Sequence, residues 1–255
     1  MYCYVYMNMT ADTLMKELRR AGDKEKGIFL LRFFKTGKGQ YGEGDLFLGI
    51  TVPVQRLIAK KYVHLKLTEI VPLMTSQFHE FRLCALMILD FKYEAASKLK
   101  DEKTKQSEQK RIFDFYIKHK KYINNWDLVD TSARDIVGAY LFDKPRDILY
   151  KLAVSTSLWD RRIAIIATHY FIKKGQYEDT IKISEMLLGD REDLMHKAVG
   201  WMLREMGNKS EKHLINFLDV YAAQMPRTML RYSLERLSPQ DRKTYMSVKG
   251  PKLTK

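Results

Sequence analysis

Apolar residues recur along most of the chain at the three- and four-residue spacing of amphipathic helices. Within residues 10–23, Leu14 and Leu18 fall on one helix face, and Thr10 or Asp12 is a candidate N-cap. The same pattern predicts further helices over residues 24–35, 51–62, 67–76, 79–97, 101–123, 126–141, 145–155, 158–174, 176–188, 192–207, 210–222, 226–236 and 239–246. No stretch alternates with the period of a strand, and no hairpin dipeptide occurs, so an all-α fold is expected.

The connections between these helices are short, which predicts tightly joined helical pairs. Their spacing of roughly 35–45 residues is that of HEAT or armadillo repeats. An α-solenoid or a compact α bundle fits this rhythm. Stacked pairs of this kind form a concave face, and a basic concave face can wrap a duplex.

One segment breaks the helical pattern clearly. Residues 36–45, TGKGQYGEGD, hold four glycines in ten positions. Because the segment does not follow a predicted strand, it is not expected to form the phosphate loop of a nucleotide-binding fold. We interpret it as a loop of the surface that can touch a phosphate backbone.

The net charge of the chain indicates which class of partner it binds. The chain carries 45 Lys and Arg against 31 Asp and Glu, a formal net charge of +14. Such a field favours nucleic acid, an anionic membrane or an acidic protein, although basic charge also serves solubility. The two cysteines, Cys3 and Cys84, form no CxxC motif, which favours a reducing cytosol. The opening MYCYVYMNMT has neither the basic start nor the long apolar run of a signal peptide.

Familiar catalytic and metal-binding motifs are missing from the sequence. The six histidines form no HxxxH or HExxH pair, so a zinc site is not expected. There is no GxxxxGK[ST] loop and no GxSxG elbow. We therefore predict neither a metal nor a cofactor.

The three tryptophans each stand beside charged residues at helical spacing. Trp126 and Asp130 are four residues apart in NNWDLVD and would share one helix face. Trp159 precedes Arg161 and Arg162, and Trp201 comes three residues before Arg204. For any one segment, a core tryptophan beside solvated charges is the simpler interpretation. Three such segments in successive helical pairs favour one functional face instead, because repeats align equivalent positions.

Four segments carry a resemblance to a known family. They are GDLFLGITVP (44–53), NNWDLVD (124–130), SLWDRRIAI (157–165) and HKAVGWMLRE (196–205). Their order and separations resemble those of the AlkD-type DNA alkylation repair glycosylases, over roughly residues 10–245. The resemblance implies a single HEAT-like repeat domain over residues 1–255 with a short basic C-terminal tail. It also implies a cytoplasmic monomer that binds double-stranded DNA in a concave basic groove.

The resemblance further implies an activity and a set of site residues. Members of the family excise cationic alkylated purines, chiefly N3-methyladenine and N7-methylguanine. By motif match, the catalytic residues fall on Asp130, Trp126, Trp201 and Arg162. The matched DNA-contacting residues are Arg204, Phe33 and Thr51. A well-known family enzyme has tyrosine and glutamine at the last two positions, so the resemblance does not define their local contacts, whereas the match of the catalytic carboxylate is unaffected. The glycine-rich 36–45 segment departs from the shortest members as well.

The positive charge of this substrate explains why acidic residues stand beside Trp126. An alkylated purine already bears a positive charge and leaves without a strong acid, and its departure leaves a cationic sugar carbon. A fixed carboxylate at Asp130 would stabilise that cation and orient water, and indole faces stabilise cations too. Arg162 and Arg204 would hold the flanking phosphates, while Asp127 suits the positive end of the helix dipole. In this family the lesion can stay stacked, and the sequence shows no base-reading pocket.

Two other classes of function remain open at this point. A non-catalytic helical-repeat protein that binds branched or distorted DNA would share the fold and the charge. The joint presence of Trp126, Asp130, Arg162 and Trp201 favours the enzyme over this alternative. A protein-binding scaffold predicts an apolar or acidic concave face and gives the Asp130 segment no purpose.

Overall fold

A computed structural model of the chain describes residues 9–248 and is built from helices. Within those residues there is no strand, and the one β-bridge joins Leu46 to Phe78. The all-α prediction is therefore confirmed. Cys3 and residues 249–255, which include most of the predicted basic tail, lie outside the described residues.

The helices follow one another closely along the chain. They are α1 (Ala11–Arg20), α2 (Lys24–Phe33), α3 (Val52–Lys61), α4 (Leu67–Met74), α5 (His79–Ser97), α6 (Glu102–His119), α7 (Trp126–Ser132), α8 (Ala139–Leu141), α9 (Asp147–Ala153), α10 (Leu158–Lys173), α11 (Glu178–Met186), α12 (Asp193–Lys209), α13 (Glu211–Tyr221), α14 (Arg227–Ser233) and α15 (Pro239–Ser247). A 3-10 turn at Lys120–Tyr122 follows α6, and a π-helical turn at Ala133–Gly138 follows α7.

The chain divides into two compact units, one ending at Ser132 and one beginning at Ala133. We call them the first and the second unit. The single-domain organisation predicted for residues 1–255 stays a prediction beside this division, as does the concave basic groove.

Helix α5 is the centre of the first unit. Its residues from His79 through Leu89 are buried without interruption, so it is buried on every side along this stretch. A helix of that kind must be surrounded by others, and α3, α4, α6 and α7 pack against it. Because α7 packs directly on α5, the acidic WDLVD segment is attached to the most deeply buried element of this unit.

The second unit repeats one packing arrangement along the chain. Helix α10 packs against the π-helical turn and α12, and α12 packs in turn against α14. The three helices begin at Leu158, Asp193 and Arg227, so successive starts are 35 and 34 residues apart. This spacing lies at the lower end of the predicted range. The helical-pair rhythm read from the sequence thus describes the second unit well.

Two glycines make equivalent close contacts in this repeated arrangement. A Cβ on Gly138 would lie 2.2 Å from the Ala167 carbonyl oxygen and 2.8 Å from the Tyr170 Cβ. A Cβ on Gly200 would lie 2.5 Å from the Met229 oxygen and 2.6 Å from the Tyr232 Cβ. In both cases the glycine meets residues 29 and 32 positions later. The second unit therefore contains the same close helix crossing twice.

No helix in the described range of residues is long and apolar enough to cross a membrane.

Candidate functional site

Helix α7 begins inside the NNWDLVD stretch and sets the position of two predicted site residues. The Asn125 side-chain oxygen accepts a hydrogen bond of 2.8 Å from the Trp126 backbone N–H at the start of the helix. One helical turn then places Asp130 on the same face as Trp126. Both residues line one cleft of about 540 Å³ in the first unit.

Aromatic side chains form most of the wall opposite α7. Helix α2 and the residue after it contribute Phe29, Phe33 and Phe34 to the cleft. The ring centroids of Phe33 and Phe34 lie 6.1 and 5.5 Å from that of Trp126, and Phe34 stacks nearly parallel to it. Such contacts each add to the stability that burial gives. The indole of Trp126 is therefore held on one side by an aromatic layer.

The start of α3 completes the part of the site that the sequence predicted in this unit. Thr51 is the N-cap of α3, as expected, but its hydroxyl makes no capping hydrogen bond. It is exposed and lines the cleft together with Phe33. The structure thus brings together four predicted residues, namely Phe33, Thr51, Trp126 and Asp130.

A buried ion network that the sequence did not reveal lies behind Trp126. The Nε2 of His79 is 2.7 Å from Asp127, and its Nδ1 is 3.3 Å from Asp45. Arg82 lies 2.7 Å from the other oxygen of Asp45. Asp127 does stand in the first turn of α7, as predicted, but its carboxylate is engaged by a histidine 48 residues earlier. Its role is therefore tertiary as well as local.

Opposing effects decide the charge of this network. Burial by itself would lower the pKa of His79, but the Asp127 and Asp45 carboxylates outweigh it and raise the pKa to about 9. Burial likewise opposes the ionisation of Asp45, yet His79 and Arg82 hold its pKa below the ordinary value. At neutral pH an imidazolium therefore bridges the buried carboxylate of Asp45 and the partly buried carboxylate of Asp127.

The imidazole also belongs to the aromatic layer of the cleft. Its centroid is 4.9 Å from that of Phe34 and 4.8 Å from that of Phe47. Because Phe34 stacks on Trp126, ring contacts run continuously from His79 to the indole. His79 thus holds α7 in two ways, through Asp127 and through Phe34.

The neighbouring residue, Glu80, fixes the loop that leads into α3. Its carboxylate accepts hydrogen bonds from the backbone N–H groups of Leu48 and Gly49, at 3.0 and 2.8 Å. Such charge-assisted bonds are among the stronger hydrogen bonds in proteins. Gly49 has φ +82°, and a Cβ there would lie only 2.0 Å from the Asp23 oxygen. The GDLFLGI segment therefore has one conformation that needs both Glu80 and a glycine.

The second unit holds the remaining predicted residues. Trp201 donates its indole N–H to Glu205 at 3.0 Å, and the same oxygen lies 3.5 Å from Arg204. Arg204 also forms an ion pair with Glu235. The guanidinium predicted to contact DNA is thus shared between two carboxylates.

Arg162 is more deeply buried than Arg204. It is only 5% exposed, and its guanidinium donates a hydrogen bond of 2.6 Å to the Leu194 carbonyl in the first turn of α12. The neighbouring Arg161 is held by Asp190 at 2.6 Å, and Trp159 is half-buried near the start of α10. The described contacts of Arg162 tie α10 to α12, whereas its predicted contact with a phosphate stays a prediction. The proximity of Trp201 to Asp130, which the family resemblance implies, also stays a prediction.

Over residues 9–248, no group of three histidine, cysteine, aspartate or glutamate side chains is arranged to hold a metal ion. Cys84 is fully buried, and burial raises the pKa of its thiol to about 12, so it is a poor nucleophile. The carboxylates and aromatic rings of the cleft are the chemically useful groups.

Sequence reasoning missed His79, Glu80 and Phe34. The only local signal was a His–Glu pair at the start of a strongly apolar helix, where a charged pair has to be satisfied after burial. Their partners, Asp127 and the 48–50 backbone, are distant along the chain.

Comparison with known proteins identifies the family and the fold of the chain. The family described as DNA alkylation repair enzyme matches residues 14–237, which is most of the chain. A solved structure, a predicted DNA alkylation repair enzyme from Enterococcus faecalis, superposes with a TM-score of 0.65. The match covers 86% of this chain and 97% of that one at 16% sequence identity, so it speaks for the fold alone. None of the curated proteins compared with the chain matches it.

Proposed function

Because the chain belongs to the DNA alkylation repair enzyme family, we propose that it is a monofunctional DNA N-glycosylase. Its substrates are cationic alkylated purines, N3-methyladenine and N7-methylguanine, in duplex DNA. It releases the base as the first step of base excision repair. The observation that carries the proposal is the pairing of Trp126 and Asp130 on one face of α7, inside an aromatic cleft.

The proposed chemistry follows from where charge develops. Loss of a cationic purine turns the deoxyribose carbon C1′ into an oxocarbenium centre. The Asp130 carboxylate opposes that charge and orients the attacking water, and the Trp126 ring favours a cation at its face. The purine is already a good leaving group, so no strong general acid is required. In keeping with this, the histidine that lines the cleft, His79, has its ring nitrogens engaged by two carboxylates.

Water is the proposed nucleophile, and Lys197 is the lysine to exclude. A lysine that attacks C1′ needs a depressed pKa in a dry pocket. Lys197 instead forms an ion pair of 2.7 Å with Asp193, and its side chain is 40% exposed. This exposed and ion-paired amine lacks the dry setting that a lysine nucleophile needs, which favours a water mechanism.

The deciding experiment removes the charge at Asp130 and keeps its shape. We expect Asp130→Asn to retain the helical circular dichroism spectrum and DNA affinity of the parent. Release of 7-methylguanine from a duplex with a single lesion should fall by on the order of 10²–10³. Asp12→Asn is the matched control, because Asp12 is 70% exposed and pairs with the surface residue Lys16 in α1. Full base release by a folded Asp130→Asn protein would rule out the proposed catalytic role.

Borohydride trapping tests the nucleophile separately. Attack by water leaves an intact abasic strand and no covalent adduct with the protein. Attack by an amine would form a Schiff base, which borohydride converts into a stable protein–DNA adduct. We expect no adduct with the parent protein. An adduct that disappears in Lys197→Ala would contradict the monofunctional assignment.

The same base-release assay distinguishes between an enzyme and a non-catalytic DNA-binding protein. Such a protein would bind the duplex with the lesion and release no free base at any enzyme concentration. The detection of free 7-methylguanine and a matching amount of abasic sites therefore decides between the two.

A further inference from the structure

Two contacts hold the indole of Trp201 within the second unit. Its N–H donates a hydrogen bond of 3.0 Å to the carboxylate of Glu205, which follows one helical turn later in α12. The imidazole of His169, on α10, meets the indole in a T-shaped contact with ring centroids 5.8 Å apart. Trp201 is half-buried and His169 is buried. The indole is therefore held both from its own helix and from a neighbouring one.

These contacts leave the indole little freedom to turn. A tryptophan side chain rotates about two bonds, and each bond has a few preferred angles. The hydrogen bond constrains the edge of the ring that carries the nitrogen, and the T-shaped contact constrains the tilt of the ring. Because the acceptor is a carboxylate, the hydrogen bond is stronger than one between neutral groups. Asn208 donates a hydrogen bond of 3.4 Å to the other Glu205 oxygen, which steadies the acceptor in turn.

The engaged N–H limits what Trp201 can offer to a ligand. An indole has one hydrogen-bond donor and no acceptor. With that donor directed at Glu205, the side chain can meet DNA through the π surface and the carbon edge of its ring. The π surface attracts a cation, whereas a free N–H would attract a phosphate oxygen. The local structure thus selects the first kind of contact.

The imidazole beside the indole is neutral at physiological pH. Burial lowers the pKa of His169 to about 4, and the cations Arg134 and Lys173 add to this effect because they outweigh the carboxylates nearby. A neutral imidazole does not compete as a cation for the indole π surface. His169 therefore supports Trp201 without opposing the positive charge that a glycosylase has to stabilise.

We propose that Glu205 and His169 are positioning residues, which hold Trp201 so that its ring, and not its N–H, faces the damaged nucleotide. This inference rests on the glycosylase function proposed above and on the predicted catalytic role of Trp201. Neither residue transfers a proton in this assignment. Displacing a positioned group by about 1 Å can slow a reaction by on the order of a hundredfold, so loss of either contact should be visible in the rate of base release.

Single-turnover release of 7-methylguanine by saturating protein tests both residues, because the rate at saturation does not depend on DNA affinity. Glu205→Ala and His169→Ala should slow it by about ten- to a hundredfold. Glu205→Gln keeps an acceptor for the indole N–H, and His169→Phe keeps a ring without an exchangeable proton, so both should retain most of the rate. Glu211→Ala is the matched control, because Glu211 is exposed in the first turn of α13.

The hydrogen bond itself can be followed by NMR. The chain has three tryptophans, so a proton–nitrogen correlation spectrum contains three indole N–H peaks, and Trp201→Phe identifies the peak of Trp201. We expect slow hydrogen exchange at this peak in the parent protein and in Glu205→Gln, and fast exchange in Glu205→Ala. The slow exchange should persist when duplex DNA is added. An indole N–H that loses its protection on binding DNA would contradict the proposed orientation.

The rate variants separate this proposal from the glycosylase function. Base release by the parent protein with unchanged rates in Glu205→Ala and His169→Ala would overturn the positioning role and leave the glycosylase standing. A His169→Phe protein that is folded and as slow as His169→Ala would also overturn it, because a proton carrier behaves in that way. A parent protein that releases no base would refute the glycosylase. The NMR experiment would then still decide whether Glu205 keeps the N–H of Trp201 away from DNA.

Discussion

At the scale of single residues, the unusual group is a buried cationic histidine. The side chain of His79 is 2% exposed and lies between the carboxylates of Asp127 and Asp45. Removing one partner from a buried ion network leaves an uncompensated charge, which is strongly destabilising. The network therefore holds the first turn of α7, and with it Trp126, most strongly while the imidazole is protonated.

The stability of the protein should depend on pH through this residue. A pKa raised from 6.5 to about 9 makes a contribution that is complete below pH 6.5 and is lost as the pH rises through 9. The contribution is on the order of 3 kcal/mol. The measurement is urea unfolding of the parent and of His79→Gln at pH 6, 8 and 10. The gap between their unfolding free energies should shrink toward the highest pH.

Other groups titrate in the same range, so a control is required. His64→Gln serves this purpose because His64 is exposed and lies outside the network. It should leave the pH dependence of the parent unchanged. A gap between parent and His79→Gln that stays constant from pH 6 to 10 would contradict a charged His79.

At the scale of elements, several glycines constrain the loop between α2 and α3, and Gly49 is the most closely packed of them. Gly49 has φ +82°, and its position against Asp23 leaves no room for a Cβ. Gly39, in the same connection, has φ +74°, and a Cβ added there would meet no other atom within 4 Å. The two positions share the backbone requirement and differ in packing.

This difference gives a matched pair of substitutions. Gly39→Ala should cost about 1 kcal/mol, the penalty of a left-handed backbone for an ordinary residue. Gly49→Ala should cost roughly 2–5 kcal/mol, because the same penalty is joined by a clash with backbone. Thermal and urea unfolding measure both. Equal losses for the two variants would show that the cleft loop tolerates displacement.

Most elements could be predicted from the sequence because their signals are local. The apolar spacing placed α10 and α12 within two residues of their observed ends, and Thr51 is the N-cap of α3 as expected. The π-helical turn at Ala133–Gly138 was not predicted. Gly138, the last residue of this turn, lies close to the Ala167 carbonyl in a different helix, and periodicity within one segment carries no information about such contacts.

The candidate site was predictable only in part for a related reason. Trp126 and Asp130 lie one helical turn apart, so their common face follows from the sequence. The bond between His79 and Asp127 joins residues 48 positions apart, and the bond between Glu80 and Gly49 spans 31. Pairings of that length are products of packing. The aromatic cleft therefore became apparent only from the structure.

At the scale of the whole molecule, a net charge of +14 determines how the proposed binding of DNA should depend on salt. Cationic side chains that neutralise phosphates release counterions, which makes the affinity fall with salt. Some of these cations already have acidic partners in the protein. Arg204 pairs with Glu235, whose side chain is 52% exposed. A phosphate that reaches Arg204 has to replace this carboxylate.

Arg204 and Glu235 should therefore have opposite effects on affinity. We expect log K for an undamaged duplex to fall with log salt by about 0.9 for each phosphate contact. Arg204→Ala should lower the affinity and flatten this slope by about one unit. Glu235→Gln should raise the affinity, because the arginine is released to the phosphate. Fluorescence anisotropy over a range of salt concentrations measures all three.

Lys16→Ala is the control for a general loss of charge, since Lys16 is 64% exposed and pairs with Asp12 on the surface of α1. A salt-independent affinity of the parent protein would refute binding through phosphates. A decrease in affinity on Glu235→Gln would mean that Glu235 positions Arg204 and does not compete for it.

The long-range bonds around the cleft also fix the order in which it is completed during synthesis. The loop at Leu48 leaves the ribosome 32 residues before Glu80, and His79 leaves it 48 residues before Asp127. At roughly 5–20 residues per second, the second interval lasts about 2–10 seconds. Throughout that interval the α2 phenylalanines have no Trp126 to face. A nascent chain paused between α5 and α7 would therefore carry an uncovered aromatic surface, the kind of exposed apolar surface that makes incompletely folded chains prone to aggregate.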